Sequence, residues 1–155
     1  MSLSPCSGSF GDSIIQATIL VVDSNPHHWA IVRSILEALP LSLYYAQSGE
    51  EAEDLARSIG FDLVLMDPCL GAQDGDACAV RLRTLLCGPR YATILAFTSD
   101  PEGAGAAPVY DGSLIKPFTV LSLTEGVLLG LAAMRAARRA ARLDAETVEV
   151  GAAVC

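Results

Sequence analysis

Charged residues are sparse in this chain of 155, at 18%, and cations are scarcer than anions: ten Lys and Arg stand against eighteen Asp and Glu, a net charge of −8. That balance argues against a general affinity for nucleic acid or an anionic membrane surface. It suits a site that collects a divalent cation. Cysteine is present but lacks a framework. The five thiols (Cys6, Cys69, Cys78, Cys87 and Cys155) are odd in number and widely spaced, with no CxxC pair. They read as free thiols of a reducing, cytoplasmic compartment, which excludes a disulfide scaffold and a zinc knuckle. No basic n-region precedes an apolar stretch at the start; Met1 to Gly11 is rich in Ser and Gly, so it is not a signal peptide. No apolar run approaches the ~20 residues needed to span a bilayer. What is abundant is hydrophobic residues, at 52%, enough to bury a substantial core. The length suits one domain with tails: a disordered leader over 1–16, the domain over 17–143, and a flexible tail over 144–155.

The apolar runs carry the fold. Phe61-Asp62-Leu63-Val64-Leu65-Met66-Asp67 reads as a strand buried on both faces and ending in an acid. Thr18-Ile19-Leu20-Val21-Val22-Asp23 repeats that pattern. After it, Asn25-Pro26 predicts a helix start, with Trp29, Val32, Ile35, Leu36 and Leu39 at helical spacing and Pro40 as the stop. Leu43 to Ala46 is a short strand. Ser48-Gly49-Glu50-Glu51 reads as a capping box before a helix that buries Ala52, Leu55, Ala56 and Ile59 and stops at Gly60. Pro68 to Gly75 is a loop with turn chemistry at Gly71 and Asp74-Gly75. A third helix is expected over about 76–86, burying Ala77, Val80 and Leu85, and broken by Gly88-Pro89. Thr93 to Phe97 is a fourth strand and Ser113 to Ile115 a fifth. Between them Gly103, Gly105, Pro101 and Pro108 leave room only for a short, weak helix near 102–107. A last helix is expected over about 121–143. Five strand–helix alternations predict a three-layer α/β sandwich with a doubly wound parallel sheet of order 2-1-3-4-5.

In that order the first and third strands are neighbours, so Asp23 and Asp67 face each other at the sheet's carboxyl edge. Thr98 and Lys116 end the fourth and fifth strands beside them. Two close carboxylates repel unless a cation or proton lies between them. A hard ion with oxygen ligands, such as Mg²⁺, meets that need. A hydroxyl and an ammonium alongside are what the oxygens of an added phosphoryl group would require. The adjacent His27 and His28 diverge on a helix, so a shared metal is not expected, and they read as surface residues at a helix start near the site; Trp29 reads as packing.

Taken together, residues 17 to about 135 resemble the receiver domain of two-component response regulators. Thr18 to Pro26 is similar to that family's first strand and acidic turn, Phe61 to Gly75 to its phosphoacceptor strand and loop, and Lys116-Pro117-Phe118 to its Lys-Pro-Phe signature. The resemblance implies phosphoryl transfer from a histidine kinase or phosphotransfer protein onto Asp67. It implies Thr98 and Lys116 as phosphoryl-binding and switch groups. It also implies Mg²⁺ held by Asp23, Asp67 and the backbone carbonyl of Cys69, and a cis peptide between Lys116 and Pro117. Signalling would then run through protein contacts, with no enzymatic output. The chain departs from the family at Ser24, where a second acid is usual; the Ser24 hydroxyl or a water would stand in as ligand, and Mg²⁺ binding is expected to be weak. It departs again at Gly71-Ala72, and at Ser113, where a switch aromatic is common, although Tyr110 lies nearby. These departures support an alternative: a pseudo-receiver that keeps the fold as an interaction module. A haloacid-dehalogenase-type phosphatase would need an acid where Cys69 stands, and a flavin carrier a phosphate-binding loop where Asp23-Ser24-Asn25-Pro26 stands. Leucines on more than one face of the last helix predict a homodimer or partner contact. Arg135, Arg138, Arg139 and Arg142 read as a solvated helix end; no DNA-binding domain and no membrane partner are expected.

Overall fold

The computed structural model describes residues 16–154 other than 101, 104 and 105. All of the expected leader but Gln16 therefore lies outside the described residues, as do Cys6 and Cys155. Five parallel strands form the main sheet: β1 (Thr18–Val22), β2 (Ser42–Ala46), β3 (Leu63–Met66), β6 (Thr93–Thr98) and β7 (Gly112–Ile115). Their order is β2-β1-β3-β6-β7, the doubly wound order expected. Val22 pairs with both Ala46 and Met66, so the ends of β1 and β3 lie level. Helix α1 (Pro26–Leu36) and the last helix, α4 (Val120–Val154), cover one face; α2 (Gly49–Ser58) and α3 (Gly75–Leu85) cover the other. Every residue of β3 and β6 is buried. Each fully buried Leu, Ile or Phe side chain contributes roughly 1.5–3 kcal/mol by leaving water.

Local chemistry sets the helix starts. The Asn25 side chain accepts from the His27 N–H, with Pro26 at the first helical position. Ser48 accepts from the Glu51 N–H, but the Glu51 carboxylate reaches back to the Gln47 N–H, one residue before the partner expected of a capping box. Leu39 packs against the core from beyond α1, whose cap is Glu37. Gly60 makes no left-handed stop, because Ile59 is already extended (φ −121°) and carries the chain straight towards β3.

The stretch after β3 is more ordered than a plain loop. Cys69–Leu70 (β4) and Gln73–Asp74 (β5) pair antiparallel about Gly71, whose φ is +62°. Asp74 then caps α3 by accepting from the Asp76 N–H. Starting at Gly75 turns the helix so that Cys78, Ala79 and Leu82 are buried, followed by Leu86. Of the expected inward face, Leu85 packs against the core and Ala77 is half-buried, while Val80 is corrected: it is 54% exposed.

Between Ser99 and Asp111 the described residues form turns and no helix. Glycine and proline there hold the chain away from helical geometry. Val109 and Tyr110 pack against the core instead, and the Tyr110 hydroxyl donates to Asp76 Oδ1 at 2.6 Å. Helix α4 runs past residue 143, where its end was expected, to Val154. Its segment Val120–Glu146, with mean hydropathy 1.5, is long and apolar enough by composition to span a bilayer, which the search for unbroken apolar runs missed. Leu123, Val127, Leu131 and Met134 of that segment are buried on the sheet. Gly130 permits the close approach: a Cβ there would meet Leu63 Cδ1 at 2.8 Å. The Gly130 carbonyl accepts from the Thr93 hydroxyl at 2.6 Å.

Candidate functional site

Asp23 and Asp67 follow directly on β1 and β3, and their backbones continue the ladder: Asp23 N donates to Ala46 O, and Asp67 N to Val22 O. Parallel pairing at level strand ends therefore brings two carboxylates to one edge. Lys116, the chain's single lysine, follows β7, and its N–H donates to Thr98 O at 2.9 Å. The Lys116–Pro117 bond is cis. The Lys116 ammonium lies 2.9 Å from Asp23 Oδ2 and 3.1 Å from Asp67 Oδ2, bridging the pair. It also sits 4.6 Å from the centroid of the Phe97 ring.

The Asp23 side chain is wholly inaccessible, yet fully satisfied. Its Oδ1 accepts from Asn25 N at 2.8 Å, while Oδ2 faces Lys116 and, at 2.8 Å, His28 Nδ1. The Tyr45 hydroxyl donates to the Asp23 carbonyl at 2.8 Å. Asp67 is less enclosed. Its Oδ1 accepts from Cys69 N at 2.8 Å. Burial pushes the Asp67 carboxyl pKa above its ordinary value, with Cys69 N–H and the Lys116 ammonium opposing and the Asp23 charge adding. The Thr98 hydroxyl accepts from Asp100 N at 3.0 Å and is buried. His28, Asp67, Cys69, Thr98, Ser99 and Lys116 line one cavity of about 590 Å³, with Ile31, Pro117 and Phe118 as apolar walls.

The structure thus brings together Asp23, Asp67, Thr98, Lys116 and Cys69, and leaves Ser24 exposed outside the cavity lining. The Cys69 thiol is free. Two carboxylates suit a hard cation, but the serine does not supply the third oxygen expected of it. In its place stands His28, which the sequence reading assigned to the surface. Asp23, His28 and Asp67 each offer a donor atom within 4.8 Å of the others. The signal was available: a histidine at the third position of a helix that starts three residues after Asp23 points back over the strand end.

A second concavity, about 510 Å³, lies at the opposite edge of the sheet and is lined by Asp62, Arg135, Arg138, Arg139 and Arg142. Arg138 is not a solvated helix end. It donates to the Tyr91 and Phe61 carbonyls and to Asp62 Oδ1 at 2.7–3.0 Å, fastening α4 beneath the sheet.

No family model matches the sequence. Over 64 residues it is 31% identical to the signal transduction histidine-protein kinase BarA of Escherichia coli (strain K12), a match covering 41% of this chain and 7% of the kinase. The chain therefore spans only a small part of the curated relatives it matches. Solved structures align along most of its length. The signal receiver domain of an HD domain-containing protein from Pseudomonas fluorescens Pf-5 superposes with a TM-score of 0.71 at 24% identity, covering 81% of this chain and 93% of that one. The receiver domain of a sensor histidine kinase from Pseudomonas aeruginosa PAO1, which holds a magnesium ion in its active-site cleft, superposes at 0.66 with 22% identity, covering 76% and 98%. The fold is that of response-regulator receiver domains, the CheY-like fold. In this chain Ser24 follows Asp23, His28 lies beside the two acids, and the described residues between β6 and β7 form turns.

Proposed function

We propose that the chain is a phosphoacceptor receiver domain of a two-component phosphorelay, acting in the cytoplasm and signalling through protein contacts. The observation that carries this reading is the Lys116 ammonium bridging Asp23 and Asp67 on the wall of an open cavity that also includes Thr98. Asp67 Oδ2 attacks the phosphorus of a phosphohistidine on a histidine kinase or phosphotransfer protein. The O–P bond forms as the P–N bond breaks, and the imidazole leaves. Lys116 exchanges its carboxylate contact for a phosphoryl oxygen, and the Thr98 hydroxyl donates to another. Asp23, Asp67 and the Cys69 carbonyl would hold a divalent cation such as Mg²⁺, which when bound neutralises charge on the phosphoryl oxygens. Ser24, exposed, adds no donor. For that reason a pseudo-receiver, keeping the fold for protein contacts alone, is the second reading.

Incubation with a small phosphodonor and Mg²⁺ separates the two. Acid-stable, hydroxylamine-labile phosphate on the wild type, absent from Asp67→Ala, is expected. No label above that control at high Mg²⁺ would leave the pseudo-receiver. The outward face of α4 is the proposed contact for a second copy of this chain. Leu121 and Leu128, and Leu129 and Ala136, recur at seven-residue spacing, and the leucines are exposed, so the face is complementary to itself.

A further inference from the structure

We propose that this cavity holds a first-row transition cation of the Zn²⁺ class more tightly than Mg²⁺, with His28 Nδ1 replacing the acid that Ser24 fails to supply. The proposal rests on the receiver reading of the site for the cation's role, but not for its binding. Its basis is the donor set. Asp23 and Asp67 contribute one oxygen each, His28 contributes nitrogen, and the three lie within 4.8 Å of one another. Donors around an ion at about 2.1 Å can be no more than about 4.2 Å apart, so a small contraction closes the set. Loss of one carboxylate removes a negative charge and an oxygen, which weakens the site for a hard ion that gains most from both. Gain of an imidazole does the opposite for borderline ions, whose affinity for nitrogen exceeds that of Mg²⁺.

Asn25 Nδ2 lies 3.4 Å from His28 Nε2. Asn25 is itself fixed, its N–H on Asp23 Oδ1 and its side-chain oxygen on His27 N. His28 Nδ1 is turned to the carboxylates, 2.8 Å from Asp23 Oδ2; coordination through it puts the ring proton on Nε2, where the Asn25 amide, a donor, gives way to an acceptor such as water. Lys116 Nζ, 3.2 Å from Nδ1 and within 3.1 Å of both carboxylates, occupies the middle of the triad. A bound cation takes its place, and the lysine, on a flexible stem that lines the cavity, turns into it.

Co²⁺ is the probe, read on the full chain by calorimetry and by its visible absorption, with Zn²⁺ as displacer and Mg²⁺ titrated in parallel. The wild type is expected to bind Co²⁺ about tenfold or more tighter than Mg²⁺, without a thiolate charge-transfer band. His28→Gln, at a side chain 34% exposed and checked for folding by circular dichroism, is expected to lose about tenfold for Co²⁺ and less than about twofold for Mg²⁺. Equal Co²⁺ affinity in both proteins, or a thiolate band, overturns the proposal. Phosphate labelling of the same two proteins with Mg²⁺ separates the failures. Label on Asp67 with Co²⁺ binding indifferent to His28 retires the metal proposal alone. Co²⁺ binding that needs His28, without label, retires the phosphoacceptor reading alone.

Discussion

At the scale of single residues, Asp23 sets the terms, because a wholly buried carboxylate must keep its partners. Lys116→Met removes one of them and leaves two facing carboxylates with no ammonium between them. The fold is expected to lose about 2–3 kcal/mol, measured by urea unfolding at neutral pH. Asp67 behaves in the opposite sense. Burial raises its pKa in the folded state, so the folded chain binds a proton more readily there than the unfolded chain. The cost of holding it ionised is fully felt above the folded pKa and vanishes below the unfolded one, near 3.8. Asp67→Asn is therefore expected to stabilise the domain at pH 7, by an amount that shrinks as pH falls into the acid range; a destabilised variant at pH 7 would contradict this. The two acids were legible because each ends a run of buried residues, where a charge has no packing reason to be, and the lysine because it stands between a short apolar strand and Pro117. His28 was not. Its place near the site follows from the helix start, but its contact with Asp23 depends on the direction in which the helix leaves the strand, which sequence adjacency does not give.

At the scale of elements, closeness at one point decides whether α3 can start where it does. Gly75 lies against the backbone leaving β3: an added Cβ would meet Asp67 O at 2.2 Å and Pro68 Cα at 2.6 Å. Backbone atoms cannot turn aside as a side-chain tip can. Gly75→Ala is expected to cost about 2–4 kcal/mol and to disturb Asp67, whereas Gly60→Ala, with open space around it, is expected to be near neutral; thermal unfolding compares the two. Strand order and element sequence were legible from apolar runs and their spacing. The inward face of α3 was not, because its rotation follows from Asp74 as cap, and a one-residue change in the start moves every side chain by about 100°. The capping shift at Glu51 and the β4–β5 pair are likewise local choices that period alone does not distinguish.

At the scale of the whole molecule, the two sheet faces are covered unequally. On one face α2 and α3 are short; on the other, α4 is more than three times the length of either and carries exposed Val120, Leu121, Leu128 and Leu129. Self-association through that helix is expected as a sedimentation coefficient that rises with concentration, and Leu129→Glu, at a position 71% exposed, is expected to abolish the rise without loss of fold. A wild type that stays monomeric at high concentration counts against the contact. The length of α4 was only partly legible, because an alanine-rich continuation with scattered charges looks the same in sequence whether it ends at 143 or goes on. One small feature reaches across these scales. Trp29, the chain's sole tryptophan, stacks on Tyr45 with centroids 4.9 Å apart and planes 1° from parallel, and Tyr45 is bonded to Asp23. The protein therefore carries its own optical gauge: whatever arrives beside Asp23 disturbs the only indole in the chain, so occupancy can be followed by its emission, with no dye attached.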